Sequence, residues 1–353
     1  MAKSTVSTSD NLKKQQYEEK LFRDMPKESF FMGRMAGVEV AKEGVIKGNL
    51  SGNGPNNILQ IKTNVEKDKG DNIRFGMKSR LTGAFIENGQ MEGNEQRLTV
   101  YNDSVTINKW RVGVRDEGEI HRKRPVYDLE EEMRTAILVN GAENIDAKIF
   151  DALLSNETLV AVNNSTFRYT TKAAAKAAVA AANKITPAFI SKLRTFARTG
   201  NDRTFPPIRP VRIDGSDMFV MVVHNDALYD LKTDSTFAQA RREAESRGKD
   251  NPLFRNATAV WDDVVIFEHE NVTIGTDGGG AAVKYSEGAF MGAQALCFAF
   301  GRRPRLVKKD FDYEDEIGMD FSLLAGVDKP SFNSYDYGVI NLMLARTQIS
   351  DLS

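Results

Sequence analysis

The sequence predicts an α+β protein, and three observations predict it. Between Asn72 and Val114 apolar and polar residues alternate with period two, from Ile73, Phe75 and Met77 to Trp110, Val112 and Val114, as half-buried strands require. Between Asp128 and Phe196 the apolar spacing lengthens to that of helices. From Met218 to Val223 an unbroken apolar run opens a central α/β stretch that reaches Gly301.

Bulk properties limit what such a fold can do. At 353 residues and 41% hydrophobic content the chain can bury the cores of two or three compact units. Lys and Arg total 48 against 49 Asp and Glu, and this balance argues against strong autonomous DNA binding. The one cysteine, Cys297, excludes a disulfide framework within the chain and reads as a buried, inert thiol inside an apolar helix. The polar stretch Met1 to Gln16 has no apolar core, and no run reaches the roughly 18 apolar residues of a membrane span, so a protein with no membrane partner, cytosolic when made, is expected.

Each element has a local reason. Residues 1–29 carry too few large apolar groups to offset an ordering cost of about 1–2 kcal/mol per residue, so they read as a mobile arm. Its end, Phe30-Phe31-Met32 with Arg34, could pin it to a surface. Asn53-Gly54-Pro55-Asn56 marks an extended, loop-rich lead-in. The first strand is separated from the next, at Leu98 and Val100, by Ser79 to Gln96, far more than a tight hairpin turn needs. A long two-stranded hairpin is marginal in water, so it should lie on this chain's own core or on a neighbouring subunit.

Asp128 caps a helix through Leu129, Met133, Ala136 and Ile137; Gly141 is read as an interruption before a second pattern of Ile145, Ile149 and Leu153, the two together forming a long spine. The alanine-rich residues 171–183 favour a further helix. Thr186-Pro187 starts another, burying Phe189, Leu193 and Phe196. The proline-rich segment Phe205 to Pro210 is an extended connector and a domain boundary.

In the central stretch the apolar run ends at His224-Asn225-Asp226. A helix through Leu228 and Leu231 follows, then a charged helix with Arg241, Arg242, Glu243 and Glu245, a strand from Val260-Trp261 to Phe267, a flexible glycine loop at Gly275 to Gly280 and an apolar helix around Met291 to Ala295. Gly301-Arg302-Arg303-Pro304-Arg305 reads as that helix's basic end. After the acidic run Asp310 to Glu316, the alternation of Ile317, Met319, Phe321 and Leu323 predicts a strand, and Tyr337 to Leu344 a last one buried on both faces.

Arrangements that would carry chemistry fail on their own terms. The glycine loop lacks the Gly-Lys-Ser/Thr ending of a phosphate-binding loop. Glu268-His269-Glu270 has no second histidine four residues on, and a metal site would need nearly all of His121, His224, His269 and Cys297 to converge. No Gly-x-Ser-x-Gly elbow is present. Asp262 and Asp263 follow Trp261 in one strand and should point to opposite faces. No catalytic residue, metal ligand or cofactor is expected.

Four segments carry a resemblance. They are Gly70-Asp71-Asn72-Ile73-Arg74-Phe75 leading into Leu81-Thr82-Gly83 and Glu92-Gly93-Asn94-Glu95; Met221-Val222-Val223-His224 with Leu228 and Leu231; Asn251-Pro252-Leu253-Phe254 with Trp261; and Met291-Gly292-Ala293-Gln294-Ala295. Together they resemble the major capsid proteins of tailed bacteriophages, in particular the podophage group typified by coliphage N-four, over about Gly70 to Leu344. Arg255 to Ala259 departs from it, since the family often carries glycines there.

The resemblance implies a Hong Kong 97-type phage capsid fold. Its layout maps as an N-terminal arm and lead-in at 1–70, an extended loop at 71–120, a peripheral domain with the spine helix at 121–205, an axial domain at 206–305 and returning strands of the peripheral domain at 306–353. It implies a subunit that joins copies of itself into hexamers and pentamers of an icosahedral shell around double-stranded DNA. The shell would be assembled in the bacterial host cytoplasm, with a portal protein, a separate scaffolding protein, room for a decoration protein, and weak, non-specific contact with the packaged genome. Contacts between subunits are expected from Arg80, Phe85, Glu87 and Met91 on the loop and from Phe30, Phe31, Met32 and Arg34 on the arm. Two other readings stand beside it: an encapsulin-like nanocompartment shell protein, and an enzyme with an unrecognised active site in the central α/β region.

Overall fold

A computed structural model of the chain describes residues 29–35, 57–62, 71–78, 85–87, 90–95, 100–126, 128–200, 207–213, 216–245, 259–279, 282–313, 315–332 and 334–348. Its longest helix, the spine, runs over Leu129–Leu153. Asp128 caps it by accepting a hydrogen bond from the Glu130 N–H at 2.9 Å, and Glu130, Glu131 and Glu132 fill the first turn, where the helix dipole favours negative charge. The helix passes through Gly141 without a break. A Cβ there would stand 3.0 Å from the edge of the Phe321 ring, so the glycine serves a close approach between helix and sheet.

The strands are β1 (Leu59–Lys62), β2 (Asn72–Lys78), β3 (Val100–Thr106), β4 (Asn108–Arg115), β5 (Val160–Val162), β6 (Arg168–Tyr169), β7 (Val211–Ile213), β8 (Ser216–Val223), β9 (Ala259–Trp261), β10 (Val264–Glu268), β11 (Ile274–Gly278), β12 (Val283–Met291), β13 (Leu296–Phe311), β14 (Glu316–Asp328), β15 (Ser331–Phe332), β16 (Tyr335–Asp336) and β17 (Val339–Ala345). A four-stranded sheet has the order β1-β13-β14-β4, with β1 parallel to β13 and the rest antiparallel. The spine lies against it, joining Ile137, Ile145 and Ile149 to Phe298, Phe300 and Phe321 in one core.

A nine-stranded mixed sheet has the order β6-β5-β17-β12-β8-β10-β9, with β7 paired to β8 and β11 to β12. Its central strands are covered on both sides, as their unbroken apolar runs demand. Phe219, Met221 and Val223 of β8 face the helices Pro187–Thr199 and Asn225–Thr233 through Phe189, Leu193, Leu228 and Leu231. Their neighbours Val220 and Val222 join the spine's core instead. A charged helix, Ser235–Glu245, follows.

Several expectations need correction. The apolar helix around Met291 to Ala295 is a tight buried turn from β12 to β13, where Gly292, Ala293 and Gln294 donate backbone hydrogen bonds to the carbonyls of Gly338, Arg209 and Asn57 at 2.7–2.8 Å. Short apolar runs have no period by which helix and strand can be separated. Cys297 therefore lies in β13, and Gly301 to Arg305 forms the middle of that strand, at its register shifts, with Pro304 where the ladder is interrupted. The alanine helix stops at Ala178, because the Gly279 N–H takes the Lys176 carbonyl and Asn183 Oδ1 takes the Ala180 N–H. Gly275 to Gly278 belongs to β11.

Asp262 and Asp263 form a turn between β9 and β10, both in the left-handed region at φ 46° and 60°. They do reach one place: the Arg194 guanidinium, whose Nη1 is 3.4 Å from Asp262 Oδ1 and whose Nη2 is 2.5 Å from Asp263 Oδ2. Sheet membership also crosses the expected layout. Residues 160–169 and the final strand β17 pair within the nine-stranded sheet, which places them with the central stretch.

Candidate assembly surface

The extended loop is locked at its base and bare at its tip. β2 and β3 pair from Asn72↔Thr106 to Lys78↔Val100. Ile73 and Val105 are buried against Cys297 and Ala299 of β13. Asp103 accepts hydrogen bonds from the Ser331 N–H at 2.7 Å and the Ser331 hydroxyl at 3.3 Å. Beyond this foothold β3 alternates between exposed and half-exposed residues, and the ribbon leaves the core.

At the tip Phe85 is 100% exposed and Met91 62%, with Ile86 and Glu87 exposed beside them. The tip is nonetheless a built turn: the Asn94 N–H donates to the Met91 carbonyl at 3.0 Å, Asn94 Nδ2 to the Gln90 carbonyl at 3.0 Å, and the Gly93 N–H to Glu95 Oε2 at 2.8 Å. Gly93 takes φ 87°, a conformation that costs glycine little. Among the described tip residues the charges are Glu87, Glu92 and Glu95, so the surface offered is apolar and acidic. Arg80 lies outside the described residues.

The arm residues are placed differently from expectation. Ser29 caps a short helix, Phe30–Arg34, and this helix docks on the chain's own spine. Asp146, 4% exposed, accepts hydrogen bonds from the Ser29 hydroxyl at 2.7 Å, the Phe30 N–H at 2.7 Å and the Phe31 N–H at 3.2 Å. Phe31 and Met32 are buried in the main core, and the Phe30 ring lies 4.7 Å from His269 and 5.9 Å from Phe267. As contacts to a neighbour Phe31 and Met32 are therefore corrected: they are core residues, because a buried carboxylate on the spine draws the arm in. The side chain of Arg34 lies outside the described residues.

A second exposed apolar group went unnoticed in the sequence. Tyr313 stands fully exposed at the hairpin turn between β13 and β14, at φ 53°, and the turn's Asp315 accepts a hydrogen bond from the Glu119 N–H at 3.0 Å. That contact brings the turn beside the segment carrying exposed Ile120 and Val126. The acidic character of the run around Tyr313 was legible in the sequence; the turn it forms and its convergence with Ile120 were not.

The histidines occupy three separate places. His121 meets Glu117, His224 caps the helix Asn225–Thr233 through Nδ1, and His269 packs on the rings of Phe30 and Phe150. Burial holds His224 below its ordinary pKa, with Arg346 acting in the same direction and Asp226 and Glu270 opposing. Burial pushes the Cys297 thiol far above its ordinary value, which leaves it unreactive. Among the described residues the most fully exposed large apolar side chains, Phe85, Val126 and Tyr313, lie at the loop tip and beside the β13–β14 turn.

A family model described as phage capsid protein matches residues 5–345. The chain is 26% identical over 341 residues to the major capsid protein of Pseudomonas phage KPP25, covering 83% of this chain and 89% of that protein. Among solved structures it is similar to the capsid of Ralstonia phage GP4, with a TM-score of 0.74, 24% identity and 92% of each chain covered. It is also similar to the capsid asymmetric unit of cyanophage Pam1, with a TM-score of 0.73, 22% identity, and 83% of this chain and 90% of that one covered.

Proposed function

Because this chain belongs to the phage capsid protein family and has the Hong Kong 97-type capsid fold, we infer that it serves as the major capsid protein of a tailed bacteriophage. Its work is geometric: copies join head to tail around symmetry axes as hexamers and pentamers and close an icosahedral shell around double-stranded DNA. The observation that carries this reading is the extended hairpin, whose foot is fixed in the subunit's core while Phe85, Ile86 and Met91 stand exposed at its tip. An apolar tip held away from its own core is stabilised when a neighbour covers it.

The nine-stranded sheet with its helices takes the axial role in this reading, and the four-stranded sheet with the spine the peripheral one. The acidic tip selects a receiving surface with cations on the next subunit. Tyr313, Ile120 and Val126 supply a second contact, at the far end of the β13–β14 hairpin. Assembly takes place in the host cytoplasm with a separate scaffold and a portal, a decoration protein can bind the outer surface, and the near-neutral chain meets packaged DNA weakly and without sequence preference. No catalytic step is needed. A nanocompartment shell would share the architecture but would enclose protein cargo, and the family match over residues 5–345 favours the phage reading.

Deleting residues 80–96 tests the assignment. The shortened chain should keep its circular dichroism and a cooperative melt while losing all capsomers and shells in electron micrographs of concentrated protein. Loss of the fold would assign the tip to the subunit's own core, and shells from the shortened chain would remove its role in assembly.

A further inference from the structure

Against the nine-stranded sheet one carboxylate is faced by both an arginine and a histidine. His224 follows β8 and caps the helix Asn225–Thr233, its Nδ1 accepting the Asp226 N–H at 3.2 Å. Nδ1 also lies 3.7 Å from Asp226 Oδ2, and that oxygen already accepts from Nη1 of Arg346, the residue after β17. The Arg346 side chain is 5% exposed; its Nε donates to the Tyr285 carbonyl at 3.2 Å, and its backbone N–H to the Lys284 carbonyl at 3.0 Å. One helical turn on, Asp230 accepts from the N–H and the hydroxyl of Thr347, both at 2.8 Å, and pairs with Lys184 at 3.0 Å. Two acids on one helix thus hold the two residues that follow β17.

The protonation state of the histidine decides how that hold is shared. Because Nδ1 accepts a backbone hydrogen bond, the neutral ring carries its hydrogen on Nε2, and the next proton has only Nδ1 to take. That proton ends the cap and leaves a cation 3.7 Å from the oxygen on which Arg346 rests. We propose that His224 is a proton-operated latch on the segment after β17: neutral, it caps the helix and leaves Asp226 to Arg346; protonated, it gives up the cap, takes Asp226 and sets Arg346 loose.

The charges around the ring set the latch for acid. At neutral pH burial keeps the ring uncharged, helped by Arg346, while Asp226 and Glu270, which lies just beyond β10, draw a proton in. Asp230 and Lys184, one turn away, pair with each other. Once His224 is charged, two cations compete for one carboxylate, and out of water they repel each other strongly. The latch works within one subunit and does not rest on the capsid reading.

Residue-resolved hydrogen exchange on the full chain as free subunit, at pH 7.5 and pH 5.5, tests the latch when expressed as protection against the intrinsic rate at each pH. A histidine in the opened state, with a pKa of about 6.5, is about nine-tenths protonated at pH 5.5, so protection at Asp226, Leu228 and Arg346 should fall severalfold, up to about tenfold. Ile190, in the first turn of a helix capped by the hydroxyl of Thr186, should keep its protection. His224→Asn retains a capping oxygen and cannot titrate, so it should abolish the fall. Unchanged protection in the natural chain, an equal fall in His224→Asn, or an equal fall at Ile190 overturns the latch; a fall at Leu228 with Arg346 unchanged overturns the competition for Asp226.

Discussion

Asp146 holds the arm to the spine by accepting three hydrogen bonds from Ser29, Phe30 and Phe31 while almost wholly buried. Removing it strands two backbone N–H groups in the interior. Asp146→Ala should therefore cost about 2–3 kcal/mol in urea unfolding, with hydrogen exchange at Phe30 to Met32 rising far above that of the spine. Unchanged exchange there would mean that the apolar contacts alone hold the arm. His224 offers a pH signature of the opposite kind. Its folded pKa lies below the unfolded value of about 6.5, so the folded state binds the proton less well than the unfolded state does. The contribution is complete above the unfolded pKa and is lost as the pH falls from about 6.5 towards the folded value. Asn at 224 can also cap the helix, so the natural chain should lose more stability between pH 7.5 and pH 5.5 than His224→Asn does. Equal losses would place the acid sensitivity elsewhere.

The spine helix shows how a local rule yields to a distant contact. In an exposed helix Gly→Ala gains about 1 kcal/mol, but at Gly141 the new carbon meets Phe321, itself 1% exposed in a packed core. Gly141→Val adds two further methyl groups and should lower the unfolding free energy by about 2 kcal/mol or more; a neutral or stabilising result would show that the sheet can retreat. The same division separates what was legible from what was not. Asp128, Thr186-Pro187 and the run to Leu344 were readable because caps and fully buried strands are written in adjacent residues. Gly141, the turn at Met291 to Ala295 and the left-handed Asp262-Asp263 pair were misread because their reasons are Phe321, Gly338 and Arg194, far off in sequence. On the candidate surface, the loop's length showed that it must lie on something, but not whether that is the chain's own core or a neighbour. The arm's inward docking depended on a carboxylate 116 residues from Phe30, and the exposure of Tyr313 on where a hairpin ends.

The whole subunit is two sheet units sharing a core through Val220, Val222, Phe298 and Phe300, with projections that core does not cover. Packing inside the subunit and packing between subunits therefore use different residues, and can be changed independently. Phe85 and Met91 make the sharpest case, because side chains 100% and 62% exposed contribute almost nothing to the stability of the lone subunit. The double change Phe85→Ser and Met91→Ser should leave the thermal midpoint where it was. In the shell, burying two such side chains contributes about 1.5–3 kcal/mol each, so their loss weakens each contact by a hundredfold or more at about 1.4 kcal/mol per factor of ten. A closed shell repeats that contact at every subunit, so light scattering should show the concentration needed for assembly rising by at least that factor. Shells forming at the original concentration would mean that neighbours do not cover the tip, and the second projection at Tyr313 would then have to carry the association.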